Sequence, residues 1–539
     1  MTSRPGPGRR DVISGALHNT QLLRVLFAFL LFNIAEWATW IAVVVWAYDQ
    51  SGVRGASAIA VAQLVPAAIL ASPAAALFGR WPRSRALMRG YLVQTAAYAV
   101  LGAGLALDAP TAVVILAAAC AAVAVVLTRP VHNSLLPEVS RTTGDLVVGN
   151  AASGTLESTA IVIGPLVCGF TIAAWGPAGV VLVMAATSAA AVLATARLVT
   201  TAAPPSTPVS AAASVGFRQV LRDPAARGLS AMVAAESTLV GLMDILIVFL
   251  ALDLLDMAQS GPGLLNSAVG AGGLAGAALT FLLVGRQRLG LPLLVGGLVA
   301  GVPFAIAGFA PGVAAAAVLL VCCGAGKAFF EVTARTFLHR LLPDRLLTAV
   351  FGLQETIMMA GFALGSLAAP LLIAVAGRRG AFVAAGLFLP LAVVASWSLV
   401  RRLDANTAVP TDVLDLLLEV PILSVLAPRI VERLAREAVA VSVREGATLI
   451  TEGEAGDRFY VIASGAVLVS RRGKPLRRLA PGGWFGELAL LREVPRTATV
   501  VAATDATLWA LDRDSFLAAV GGSARSVQTI DDHARDLYL

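Results

Sequence analysis

The chain has 539 residues, 58% of them hydrophobic and 14% charged, with a net charge of +7 and a mean hydropathy of +0.82. Ordinary soluble domains are less apolar and more charged, so this composition excludes a soluble globular protein for most of the chain and points to a polytopic membrane protein. The basic excess is not a nucleic-acid footprint, because Lys and Arg gather beside the ends of apolar stretches, as membrane topology requires.

Residues 1–21, with Arg4, Arg9 and Arg10, read as a cytoplasmic lead-in. The apolar run after Arg24 is too long for a signal-peptide core and is kept as a spanning helix. Stretches of roughly 20 or more apolar residues, enough to cross a bilayer, recur twelve times: 22–48, 56–79, 86–107, 110–128, 147–175, 178–198, 228–255, 262–284, 289–309, 312–335, 347–376 and 380–400. The four cysteines, Cys120, Cys168, Cys322 and Cys323, lie inside these stretches and read as small buried hydrophobes.

In the first stretch Asn33, Glu36, Trp37 and Trp40 are spaced to share one helix face. A carboxylate between two aromatic rings suits a cationic or amphipathic substrate, or a proton carrier; a glutamate tied to Asn33 or to a neighbouring helix is the plainer alternative. The connection after the second stretch, RWPRSR, carries Arg80, Arg83 and Arg85, and TRPVHNSLLPEVSR (128–141) carries Arg129. Arg80, Arg83, Arg129 and, in the second half, Arg335 are candidates for gating or for anchoring helix ends. Glu157 in the fifth stretch and Asp244 in the seventh are further transport or proton-coupling candidates, with Glu236 ranked below Asp244. Lys327, Glu331 and Arg335 follow one another at intervals of four and read as an ion-pair ladder that cancels its own charge. Glu355 reads as facing cytoplasmic water.

The connections alternate in charge. RWPRSR, TRPVHNSLLPEVSR, GRQRLG, ARTFLHRLLPDR and VRRLD are basic, whereas DQSGVRG, LDAP, WGPAG, DMAQSGPG and FAPG are nearly free of Lys and Arg, and GRRG (377–380) is the exception. The bias places both termini in the cytoplasm. The Pro-, Ala- and Ser-rich residues 200–226 read as a cytoplasmic linker between a first half, 22–199, and a second, 227–400. Arg129 and Arg335 each stand eight positions before the proline of an LLP triplet, so the halves echo one another, as in secondary transporters built from repeats. SPAAALFGRWPRSRALM (72–88), NSLLPEVSR (133–141), GPLVCG (164–169) and GPGLLNSAVGAGGLAGA (261–277) resemble the major facilitator superfamily, and within it the drug-efflux-like branch. That family carries an Asp in the loop between its second and third helices, where this chain has Gly79.

Residues 401–420 read as a connector, and 421–438 as a helix. From 439 short alternating runs bounded by Gly, Pro or Asp predict a small antiparallel barrel, and the chain turns helical again from Asp514. Between two of its strands lies FGELALLREVPRTATV (485–500), where a glycine turn, a carboxylate and an arginine describe a pocket for a small ribose-bearing phosphodiester. EGEAGDRFYVIASG (452–465) and FGELALLREVPRTATV resemble the cyclic-nucleotide-binding domain family across 421–521. The resemblance implies that Glu487 holds the ribose 2′-hydroxyl and Arg496 the cyclic phosphate. It also implies that Gly486, Leu488, Ala489, Thr497 and Ala498 complete the cradle and that SARSVQTIDDHARDLYL (523–539) forms a lid. Thr497 can favour cGMP, whereas the bacterial-type composition puts cAMP first and cGMP second.

The expected fold is therefore an all-α polytopic membrane protein of twelve transmembrane helices in two six-helix pseudo-repeats. A cytoplasmic α+β domain with a β-roll or jelly-roll barrel follows at 421–539. The expected function is secondary active transport in the plasma membrane, proton-coupled efflux of an amphipathic or cationic small molecule under cyclic-nucleotide control. A lipid or lysolipid flippase under the same control, or a non-transporting nucleotide receptor, are the other readings. No Walker loop, nucleophile, metal set or acid pair stands out, so neither ATP-driven transport nor an enzyme is expected. The expected partners are the lipid bilayer, the nucleotide and the substrate, with no nucleic acid; monomer and dimer both stay open.

Overall fold

The computed structural model describes residues 17–78, 81–198, 224–280, 288–341, 344–407, 410–424, 426, 428–492 and 494–520. The lead-in before residue 17, Arg80, the linker up to residue 223 and the lid from residue 521 lie outside the described residues. The chain divides into two compact units, residues 1–403 and 404–539.

The first unit is helical throughout: α1 (Thr20–Phe78), α2 (Arg83–Ala106), α3 (Thr111–Val139), α4 (Thr143–Thr195), α5 (Pro224–Phe249), α6 (Gly261–Leu279), α7 (Gly290–Ala307), α8 (Val313–Leu341) and α9 (Asp344–Ala395), then α10 (Trp397–Thr407) across the boundary. Among the described residues, seven of these helices are long and apolar enough to cross a membrane. Three are too long for one crossing and each contains a break, at Ser51–Gly52 in α1, Gly176 in α4 and Gly377 in α9. The three glycines have φ of 60°, 64° and 76° with ψ near the extended range, a conformation open to a residue without Cβ and incompatible with continuing the helix. They fall in DQSGVRG, WGPAG and GRRG, which sequence marks as connections. A π-helical turn, Leu250–Leu254, extends α5.

Buried and half-buried hydroxyls in this unit return to their own helices. Thr128 donates to the carbonyl of Ala124, Ser230 to Ala226 and Thr238 to Ala234, which satisfies them where no water is available. Thr142 caps α4 by accepting from the Asp145 amide, and Asn19 donates to Asp145 at 3.0 Å and to the carbonyl of Val139 at 2.8 Å. Glu138, near the end of α3, takes the ion pair of Arg83. The position before Val139 thus supplies a carboxylate partner to the basic loop that Gly79 does not.

The second unit contains α11 (Thr411–Glu419), α12 (Pro421–Ser424), α13 (Pro428–Glu437), eight strands, a short helix α14 (Glu487–Leu491) and α15 (Arg513–Val520). The strands are β1 (Val439–Val443), β2 (Thr448–Ile450), β3 (Arg458–Ser464), β4 (Val467–Arg471), β5 (Lys474–Leu479), β6 (Trp484–Phe485), β7 (Thr499–Ala502) and β8 (Ala506–Asp512). They form two antiparallel four-stranded sheets, ordered β1-β8-β3-β6 and β2-β7-β4-β5. Ile450, Ile462, Val467, Val469 and Leu508 fill a core between the sheets. Phe459, Val461 and Leu511 belong to another core with α11, α13 and α15, where Phe459 stacks on Phe516 at 4.5 Å. Both faces of β3 are therefore covered, which is why FYVI is continuously apolar where a half-exposed strand would alternate.

Two boundaries differ from those read in the sequence. The helix expected over 421–438 is described as two, α12 and α13, and Pro428 suits the first position of the second. The connector is not a bare linker, since Val413 and Leu417 of α11 are fully buried in the second unit's own core.

Candidate functional site

The loop between β6 and β7 builds a pocket that holds about 630 Å3 of empty space, partly open to solvent. All seven residues expected to form a nucleotide cradle line it: Gly486, Glu487, Leu488, Ala489, Arg496, Thr497 and Ala498. Its apolar wall comes from residues that motif reading did not single out, including Val469, Leu476 and Trp484. Their signal was present only as ordinary strand hydrophobicity.

Gly486 turns the chain into α14 with φ of 96°. A Cβ there would lie 2.8 Å from Nη1 of Arg496 and 2.9 Å from the carbonyl oxygen of Arg458. The glycine is thus required twice, for its left-handed backbone and for the space the guanidinium occupies. Arg496 is 5% exposed. It donates from Nη1 to the carbonyl of Gly486 at 3.0 Å and from Nη2 to the carbonyl of Arg458 at 2.9 Å and Oδ1 of Asp457 at 3.0 Å. Three of the five guanidinium N–H donors are used this way, which locks the fork and leaves two donors for an anion.

Glu487 is 3% exposed. Burial pushes its carboxyl up to about 7, against the weaker opposing effects of its own amide, Arg496 and Arg477. A buried carboxylate and a buried guanidinium in one small cavity, with an apolar wall, can hold a ligand that has an anionic group, hydroxyl donors and a flat apolar ring.

In the membrane unit the candidates separate into two clusters. Arg129 of α3 pairs with Glu36 of α1 at 2.6 Å and also with Glu157 of α4, and lies 5.8 Å from the Phe32 ring centre. Glu36 therefore meets a cation of its own chain, and a cationic substrate at the Trp37 and Trp40 face would compete with Arg129. Asn33 is not its partner: Nδ2 donates to the Phe29 carbonyl at 2.7 Å, and Oδ1 has no hydrogen-bond partner among the described residues. Trp37 Nε1 is likewise without one, and Trp40 packs against the apolar core.

The other cluster joins α5, α8 and α9. Lys327 lies within electrostatic range of Glu236, Asp244 and Glu331, and Arg335 pairs with Glu331 at 2.8 Å. The ladder expected along α8 is thus not self-contained, because its lysine also serves two carboxylates on α5. At the end of the bundle where α1 breaks, Gln259 donates to Asp49 at 2.7 Å and Arg378 approaches Asp253 at 3.3 Å.

The family model described as Major Facilitator Superfamily matches residues 25–352, more than half of the chain. The chain belongs to the Major Facilitator Superfamily. This major facilitator also carries a C-terminal cyclic nucleotide-binding domain, whose family model matches residues 440–521. That region is 42% identical over 105 residues to a cAMP-dependent protein kinase regulatory subunit of Yarrowia lipolytica, covering 19% of this chain and 28% of the relative. It is 49% identical over 73 residues to a cGMP-dependent protein kinase of Caenorhabditis briggsae, covering 14% of this chain and 10% of the relative. The facilitator thus spans about a quarter or less of the length of these curated relatives. A solved structure of PKAR CBD2 bound to Sp-2Cl-cAMPS is 31% identical with a TM-score of 0.22, over 23% of this chain and 84% of that one.

Proposed function

We propose that this facilitator is a secondary transporter whose activity is set by a cyclic nucleotide, cAMP first and cGMP second, bound in the pocket of its second unit. The observation that carries the reading is the meeting of Glu487, Arg496 and Gly486 in one cavity. The ribose 2′-hydroxyl bonds to the Glu487 carboxylate, the cyclic phosphate to the two remaining Arg496 donors, and the base to the apolar wall. The cAMP- and cGMP-dependent kinases named above support the ligand class.

In this reading the membrane unit has twelve spans in two halves, which the breaks at Gly52, Gly176 and Gly377 support, and both termini face the cytoplasm of a plasma-membrane protein. It exports an amphipathic or cationic small molecule in exchange for protons, in the manner of the drug-efflux branch, and the buried carboxylates Glu36, Glu157 and Asp244 are the proton-carrying candidates. Regulation requires the nucleotide to bind two gate states with different affinity. The short path from α10, which ends at Thr407, to α11, which begins at Thr411 and packs in the nucleotide domain's core, supports such coupling.

The test is calorimetry on the purified full chain with cAMP and cGMP, wild type against Arg496→Ala, alongside substrate flux in oriented liposomes with and without saturating nucleotide. Binding heat abolished by Arg496→Ala, and flux that responds to nucleotide, are expected. No binding heat in the wild type removes the sensor; binding without any change in flux removes the coupling.

A further inference from the structure

The cluster on α5, α8 and α9 surrounds a pocket lined by Val233, Glu236, Glu331, Arg335, Gln354 and Glu355, among others. Two polar side chains in that lining are at least nine-tenths buried, Glu236 and Gln354, each 4% exposed. Each presents a buried oxygen with no hydrogen-bond partner among the described residues, Oε1 of Glu236 and Oε1 of Gln354. Both unmet atoms are acceptors. Gln354 donates one amide N–H to Ser230 Oγ at 2.8 Å, while its oxygen lacks a donor.

An unmet buried acceptor costs free energy, and these two belong to side chains that line the same pocket. The surrounding charges specify the sign. Glu236 is faced by Lys327, Glu331 and Arg335, and Lys327 is shared with Asp244 and Glu331. Arg335 is taken by Glu331. Glu355 lines the same pocket and lies within electrostatic range of Arg129, whose charge is already held by Glu36 and Glu157. Four carboxylates, Glu236, Asp244, Glu331 and Glu355, thus stand against two local cations, Lys327 and Arg335. An anion would have to displace these carboxylates from Lys327 and Arg335, whereas a group bearing positive charge and N–H donors answers both the unmet acceptors and the carboxylate excess.

We propose that this pocket receives the ammonium head of a protonated amine, with Glu236 as its counter-ion and the Gln354 side-chain oxygen as a second acceptor. The inference deepens the transport reading and rests on it: the substrate class is an amphipathic molecule with a primary ammonium group. It also moves cation recognition away from Glu36, whose charge Arg129 already meets.

The probe is octylammonium chloride, with octanol and sodium chloride as controls, titrated calorimetrically into the purified full chain in detergent. Octylammonium is expected to bind the wild type, with affinity lowered about tenfold or more in Glu236→Gln, as for loss of a charged hydrogen bond. Gln354→Leu should weaken it several-fold, and Glu236→Asp should retain part of it. Nucleotide binding and monodisperse elution report that each variant is folded, and the Gln354 and Asp variants carry the test if Glu236→Gln is not. Equal affinity in wild type and Glu236→Gln overturns the proposal. So does octanol binding as tightly as the amine, stabilisation by sodium in its place, or loss of amine binding in Glu36→Gln with Glu236→Gln unaffected. If the amine fails while nucleotide-responsive flux persists, this inference falls and the transport reading stands; if flux is also absent, the reading itself falls.

Discussion

Substituting Glu487 by Gln separates the contribution of its charge from that of its shape. Raising its carboxyl from the ordinary 4.5 to about 7 corresponds to about 3 kcal/mol disfavouring the ionised form in the empty pocket. Because the folded-state value is the higher one, this group's contribution to stability is fully present below about 4.5 and is lost as pH rises through about 7. The ribose 2′-hydroxyl is a donor, so the ligand favours the ionised carboxylate, which the empty pocket holds fully only above about 7. At pH 6 about one pocket in ten is ionised, and the apparent affinity for cAMP should be about tenfold below its value at pH 8.5. The phosphodiester stays ionised over this range, and Arg496 does too, so Glu487 alone sets the slope. Calorimetry of the full chain with cAMP from pH 5.5 to 8.5 measures it. The Glu487→Gln variant should bind more weakly at pH 8.5 and lose the slope. A wild-type affinity that is flat across this range, or a Gln variant with the same slope as wild type, would refute the assignment of Glu487 to the ribose.

Gly486→Ala should cut cAMP affinity by a hundredfold or more, through backbone strain of about 1–3 kcal/mol and displacement of Arg496; calorimetry showing wild-type affinity would count against the double requirement. Arg129→Gln leaves Glu36 and Glu157 without their cation and should cost the membrane unit about 1–3 kcal/mol. Adding Glu36→Gln should return part of it, as read from thermal unfolding in detergent. Asp49→Ala removes the hydrogen bond from Gln259, worth about 1 kcal/mol, and should raise the population separated at that end about fivefold. Spin-label distances between the break of α1 and the start of α6 report it, and an unchanged distribution contradicts a role for this hydrogen bond in holding that end together.

Much of this molecule was legible from residue order. Hydropathy marked the helical membrane region, and DQSGVRG, WGPAG and GRRG coincide with the breaks in its three longest helices, because lipid imposes length and backbone satisfaction locally. The stretch 485–500 disclosed its pocket, because the glycine, carboxylate and arginine that form it are close in sequence and each is needed for its own chemistry. What sequence order could not decide was pairing across helices. Glu36 looked like a waiting counter-ion until α3 and α4 brought Arg129 and Glu157 against it, and Lys327 looked spent along its own helix until α5 set Glu236 and Asp244 before it. Helical periodicity states which face a charge occupies, while the charge's partner depends on which other helix packs there. The same limit hid the unmet oxygens of Glu236 and Gln354, which lie more than a hundred positions apart and share a cavity only in the folded bundle.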